Sequence, residues 1–230
     1  MCGRFTIVMT MDELITRYDI DEIIQPFTKP NYNVAPTQMI PAIMNDGEKT
    51  KLDQLKWGLI PPWAKNEKIA YTTINARAET VAEKPAFRNA IKRKRCLIPA
   101  SSFFEWQKIG RDKQPMRILL KNEDIFSMAG LYEFWRDPEG NIVNSCSIIT
   151  TTPNELMADI HNRMPVILKK DDEALWLDPG TTDPEFVRHL LAPYPPEEMK
   201  AYPVSKAVGN VRNNGFELIK QLGASEINSL

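Results

Sequence analysis

The second residue of the chain is a cysteine, Cys2, directly behind a methionine. Removal of a methionine that precedes a small residue would leave a terminal 1,2-aminothiol, which does chemistry an internal cysteine cannot. Its α-amine, with a pKa near ~8, is partly neutral at working pH. It condenses with an aldehyde to a Schiff base, and the neighbouring thiol then closes a five-membered thiazolidine ring in an intramolecular step of very high effective concentration. The ring-opened deoxyribose of an abasic site in DNA is a persistent aldehyde that suits such a trap. Taken alone, a Met-Cys start suits a small buried hydrophobe on a first strand better, and a retained Met1 would block the amine.

Four further segments carry chemistry. In Ile74-Asn75-Ala76-Arg77, an amide and a guanidinium alternate onto one side of an extended strand, a combination that holds phosphate and sugar and equally suits a surface pair near a turn. Glu105 stands among Phe103, Phe104 and Trp106, where desolvation would raise its pKa towards neutrality; a structural pairing with an arginine is the alternative. His161 lies in Asp159-Ile160-His161-Asn162-Arg163, where a loop could aim it into a cleft, whereas His189 reads as packing or surface in an amphipathic helix. Thr150 ends a strand in hydroxyls and could donate to a phosphate, while Thr151 and Thr152 fit strand propensity and helix capping.

Two features bear on a polyanionic partner. The net charge of −1 gives no global reason to bind one, so a local patch must do it. Arg88, Lys92, Arg93, Lys94 and Arg95 form such a run, which also suits a solvated helix face. The loop Trp57-Gly58-Leu59-Ile60-Pro61-Pro62-Trp63 offers Trp63 as a base-stacking platform, with Trp57 at a strand end assigned to the core. Three widely spaced cysteines, Cys2, Cys96 and Cys146, argue against a disulfide framework and for a reducing cytoplasm. With two histidines and no CxxC or HExxH spacing, a metal site is not expected, and no cofactor is implied. No apolar stretch approaches the ~20 residues of a membrane span.

These residues must be positioned by short elements, because 18 prolines punctuate the chain throughout. Residues 3–8 read as a strand, followed by a helix to about Tyr18 with Thr10 as N-cap and Glu13 completing a capping box. Residues 29–36 read as a loop. Residues 38–44 and 51–57 flank Asn45-Asp46-Gly47 as a hairpin. A helix is expected over 84–94, then strands over 95–99, 102–107, 115–121, 125–133, 143–151 and 164–168. Thr152 and Pro153 should open a short helix to Ile160. Further helices are expected over Asp171–Leu177 and Pro184–Leu191. The pattern predicts a single α+β domain over 1–222 with a largely antiparallel sheet, and a polar tail over 223–230.

Taken together, Cys2-Gly3-Arg4-Phe5, Tyr32-Asn33-Val34-Ala35-Pro36, Trp57-Gly58, Asn75-Ala76-Arg77, Phe104-Glu105-Trp106, His161 with Arg163-Met164-Pro165, Pro203-Val204-Ser205 and Val208-Gly209-Asn210-Val211 appear in the order of one family. The chain strongly resembles the SOS response-associated peptidase (SRAP) family of abasic-site processing proteins from residue 2 to about residue 220. The resemblance implies a barrel-like, mostly antiparallel sheet flanked by short helices, and a DNA-damage function: covalent capture of abasic sites in single-stranded DNA or at strand junctions by Cys2. It implies that Asn75 and Arg77 hold the lesion and its phosphates, that Glu105 moves protons, and that His161 stabilises the opened sugar. Arg4, Thr150 and Arg163 would line the groove, with Pro36 and Trp63 as stacking and wedging elements. Where some relatives carry a second aromatic after the tryptophan, this chain has Ala64. The resemblance also implies lyase-type and peptidase-like activities, and the expected setting is a monomer in the cytoplasm, on nucleoid DNA. Two competing readings are a thiol peptidase with no DNA role and a non-catalytic single-strand binder.

Overall fold

In the computed structural model, which describes residues 2–122 and 124–223, the chain begins with β1 (Phe5–Ile7), α1 (Met11–Tyr18), β2 (Glu22–Ile23), β3 (Asn31–Val34), β4 (Met39–Asn45), β5 (Thr50–Trp57) and β6 (Asn75–Arg77). After α2 (Ala90–Arg93) come the longer strands β7 (Arg95–Ala100), β8 (Ser102–Ile109), β9 (Asp112–Leu120), β10 (Phe126–Arg136) and β11 (Ile142–Thr151). Then follow α3 (Glu155–Ala158), β12 (Met164–Pro165), β13 (Ile167–Leu168), α4 (Glu173–Leu177), α5 (Glu185–Arg188) and β14 (Met199–Pro203). Met1 and residues 224–230 lie outside the described residues, and with them the expectations about methionine removal and the polar tail.

The larger sheet runs β12-β11-β10-β7-β4-β5-β2. It closes on itself because β11 also pairs in parallel with β5, Ser145 opposite Lys56 and Cys146 opposite Trp57. Strands β5, β4, β7, β10 and β11 thus form a ring, which removes the unpaired edges an open sheet would expose. Leu55, Leu97, Ala129, Cys146 and Ile148 belong to its buried core. The packing leaves no spare volume at Gly130, where a Cβ would lie 2.8 Å from Cys96 Sγ and 2.9 Å from Ile98. The second sheet is antiparallel, in the order β14-β9-β8-β1-β3. The fold is therefore α+β, barrel-like and mostly antiparallel; the parallel pairings are β11 with β5 and β6, and β2 with β5.

The local signals for α1 hold in full: Thr10 caps it, and Glu13 returns a bond to the Thr10 backbone at 2.6 Å. The hairpin at Asn45-Asp46-Gly47 also forms. Elsewhere the structure corrects the reading. Residues 31–34 are a strand rather than loop, paired with β1. Between 84 and 94 only Ala90–Arg93 is α-helical; the preceding stretch is isolated turns, such as Phe87 N–H to Lys84 C=O, that carry Phe87, Ala90 and Ile91 into the core. The cap of α3 is Asn154, whose Oδ1 accepts from Met157 N–H at 2.9 Å, so the helix starts after Thr152 and Pro153. Residues 164–168 form two short strands because the chain changes partner, from β11 to β10. Strand β14, an outer strand ending in Pro203, had no alternating pattern to announce it. Finally, Arg95 of the basic run points inward: its guanidinium donates to the carbonyls of Trp176, Ile91, Asp178 and Thr181.

Candidate functional site

Cys2 precedes β1 and Glu105 stands on β8, both in the smaller sheet, whereas Asn75 lies on β6 and Thr150 on β11, in the barrel. The site forms at the seam between them. Asn75 crosses it, donating from Nδ2 to the Cys2 carbonyl at 2.9 Å. Its strand is fixed by parallel pairing with β11, Asn75 opposite Ile148 and Arg77 opposite Thr150. Asn75 Oδ1 is buried and has no hydrogen-bond partner among the described residues.

Cys2 is fully buried. Desolvation drives its thiol well above the ordinary cysteine range, the Glu105 carboxylate pushes the same way, and a bond from the Arg4 backbone opposes them. The thiol is therefore held protonated. Glu105 is itself 3% exposed, and burial pushes its carboxyl up to about 7 against the opposing Trp106 N–H. It can hold or release a proton near neutrality. His161 Nδ1 lies 3.9 Å from Glu105 Oε1, beyond direct hydrogen-bond length. Burial lowers the pKa of the imidazole. The segment carrying His161 leaves α3 and is tied to β8 by Gln107 Nε2, which donates to the Asp159 carbonyl at 3.1 Å.

The remaining candidates occupy distinct positions. Arg77 is exposed at the end of β6, while Asn75 on the same strand is buried. Arg163 points its guanidinium at Glu79 through two bonds of 2.5 and 3.0 Å and at the Thr150 carbonyl at 2.6 Å. Arg4 is half-buried: Nη1 donates to Asn33 Oδ1 at 2.8 Å and to the Val208 carbonyl at 2.7 Å, and its guanidinium lies over Trp106. Pro36 is half-buried in a turn whose next residue, Thr37, adopts φ 75° and donates to the Trp57 carbonyl. Trp57 is core, edge-on to Phe5, and donates from Nε1 to the Ile74 carbonyl beside Asn75. Trp63 is 58% exposed. Its loop is pinned by Trp135 Nε1, which donates to the Ala64 carbonyl, and by Gly58, where φ is +133° and a Cβ would meet the Ala70 carbonyl at 2.6 Å. Cys2, Asn75, Glu105 and His161 thus lie together at the seam, linked by the Asn75 bond to the Cys2 carbonyl and the 3.9 Å approach of His161 to Glu105, with Arg163 joined to Thr150 beside them. Of the basic run, Arg88, Lys92 and Arg93 project to solvent, while Lys94 pairs with Glu133.

Two residues that matter to this arrangement were not singled out for chemistry. Glu79 holds Arg163. Asn33, 1% exposed, accepts from Arg4 and donates to the carbonyls of Asn210 and Asn213, so it ties β1 to the segment around 205–213. Its place inside Tyr32–Pro36 was the available signal. Asn33→Ala leaves these groups without their partner, and urea unfolding is expected to show a loss of about 2–3 kcal/mol.

Comparison with known proteins bears on this geometry. The family model described as SOS response associated peptidase (SRAP) matches residues 1–211. The chain is 53% identical over 222 residues to abasic site processing protein YoqW of Bacillus subtilis, covering 96% of this chain and 99% of that protein. It is 31% identical to abasic site processing protein HMCES of Xenopus tropicalis, over 81% of this chain and 64% of that one. A crystal structure of a Bacteroides thetaiotaomicron protein superposes with a TM-score of 0.87 at 32% identity, covering 96% of this chain and 100% of the other. Among the described residues no helix is long and apolar enough to cross a membrane.

Proposed function

The chain belongs to the SOS response-associated peptidase (SRAP) family, and from that premise we propose that it captures abasic sites in single-stranded DNA as a thiazolidine cross-link to Cys2, once removal of Met1 has made Cys2 the terminal residue. The observation that carries this reading is the buried cluster in which Asn75 holds the Cys2 carbonyl while Glu105, its carboxyl pushed by burial up to about 7, lies 3.9 Å from His161.

The amine nitrogen of Cys2 attacks C1 of the ring-opened sugar to give a carbinolamine. Glu105, protonated, hands its proton to the departing hydroxyl; water leaves and the protonated imine forms. The resulting carboxylate then takes the proton from the Cys2 thiol, which the burial-raised pKa would otherwise retain. Sulfur attacks the carbon of the protonated imine, the C=N π electrons return to nitrogen and Glu105 is left protonated as it began, so aldehyde and aminothiol yield thiazolidine and one water. His161 faces the sugar and assists its opening; Asn75 holds the reacting backbone. Arg77, Arg4, Thr150 and Arg163 take phosphates and sugar, with Pro36 and Trp63 stacking the flanking bases. The imine also acidifies the adjacent sugar carbon, so strand-nicking β-elimination is a side branch. The setting of this reading is a monomer in the cytoplasm, on nucleoid DNA.

A thiol peptidase needs a nucleophile poised as thiolate in an electropositive site, and the raised pKa of Cys2 works against it. A passive single-strand binder gives no reason to bury Glu105 at a desolvation cost. The test is a denaturing gel of protein with abasic and intact single-stranded oligonucleotides: an SDS-stable adduct with the abasic strand alone supports capture, and none with either overturns it. Trp63→Ala is expected to weaken single-strand affinity by about 1–3 kcal/mol, measured by fluorescence anisotropy. Because the side chain is 58% exposed, folding stability should be unaffected.

A further inference from the structure

We infer that Glu79 is a positioning residue for His161, acting through Arg163; the chemical part of this inference rests on the proposed function. Glu79 follows β6, where Ala78 N–H donates to the Thr150 carbonyl at 2.8 Å. Its carboxylate receives both terminal nitrogens of Arg163 in the fork geometry that orients a guanidinium in a plane. The second of these nitrogens also donates to the Thr150 carbonyl. The Arg163 side chain is therefore held from two sides, on a residue that leads straight into β12. Fixing that side chain fixes the turn 161–163.

The turn sets the imidazole. Arg163 N–H donates to His161 Nδ1 at 3.1 Å. An amide proton cannot rotate away, so Nδ1 must offer its lone pair and the ring proton resides on Nε2. The Arg163 carbonyl, 3.2 Å from Nδ1, cannot be served by the same atom at the same time. Glu79 thus selects the Nε2–H tautomer, and with it which nitrogen donates towards the sugar and which faces Glu105.

The test compares wild type with Glu79→Gln, which preserves size and removes the charge. ¹⁵N NMR of the two histidines should show wild-type His161 with a pyridine-like Nδ1 and a protonated Nε2, and the variant with averaged tautomers. Single-turnover adduct formation at saturating abasic DNA should fall by about tenfold, the low end of losses seen when an orienting partner is removed. Affinity for intact single strands should hold or tighten, because a negative charge has left the rim. A merely structural role would not split rate from affinity. If Glu79→Gln does not fold, Glu79→Asp, whose shorter carboxylate cannot span the fork, is read the same way. An unchanged His161 tautomer, or an unchanged rate at saturation, overturns the inference. If wild type forms no adduct the proposed function fails separately, and the tautomer decides the positioning claim by itself.

Discussion

Cys2→Ala lowers the yield of SDS-stable adduct on abasic single strands by more than about a hundredfold, because ring closure supplies the effective concentration that makes capture persistent. Alanine keeps the α-amine, so an imine still forms and reverses. Borohydride, which reduces an imine to a stable amine, should restore a covalent product with Cys2→Ala while adding little to wild type. A variant with one extra residue retained before Cys2 should form no persistent adduct without borohydride, because the terminal amine and the Cys2 thiol then sit on different residues and cannot close the five-membered ring. The folding consequence is small by comparison: Cys2 is fully buried, and trimming its sulfur leaves only a small cavity, about 1 kcal/mol. An outcome in which Cys2→Ala loses activity because it unfolds would be visible in its thermal transition.

The second large effect is opposite in sign for activity and stability. Glu105→Gln should slow capture by roughly 10²-fold, the lower range for loss of a general acid–base group. It should also stabilise the fold in alkaline solution. A carboxyl whose folded pKa is about 7 against ~4.3 in an unfolded chain contributes stability that is fully present below pH ~4 and lost as pH rises through 7. The amide never ionises, so it escapes that loss. Urea unfolding should find Glu105→Gln near wild type at pH 4 and more stable by about 3–4 kcal/mol at pH 8. In wild type the capture rate should be bell-shaped in pH: the amine must be neutral, which favours higher pH, and Glu105 must be protonated to expel water, which favours lower pH. In Glu105→Gln the alkaline fall should vanish.

The parts of the molecule that were legible in sequence are those decided within a few residues. The Thr10–Glu13 capping box and the turn at Asn45-Asp46-Gly47 are local hydrogen-bond chemistry, and both appear where expected. Glu105 among aromatic residues was readable as a desolvated acid for the same reason. Strand β3 was hidden because its polar residues, Asn31 and Asn33, bind other loops with their side chains while the backbone pairs with β1. The cap of α3 was misplaced because Thr152 and Pro153 give a plausible start, yet Asn154 wins by bonding both Met157 N–H and the Tyr194 carbonyl. Arg95 shared a basic run with exposed neighbours, and only the distant carbonyls of Asp178 and Thr181 explain its burial. Asn75 and Arg77 share a strand, but what separates them is the Cys2 carbonyl, 73 residues away from Asn75. Glu79 could not be found at all from local pattern, because its partner Arg163 lies 84 residues further on.

The most direct measurement is intact mass spectrometry of the protein after incubation with an abasic single-stranded oligonucleotide, followed by mapping of the modified peptide. The expected result is a chain without Met1 whose mass rises by that of the oligonucleotide less one water, with the modification on the peptide beginning at Cys2. An adduct carried by a lysine or by an internal cysteine, or an unmodified chain under conditions where the abasic strand is intact, would contradict it.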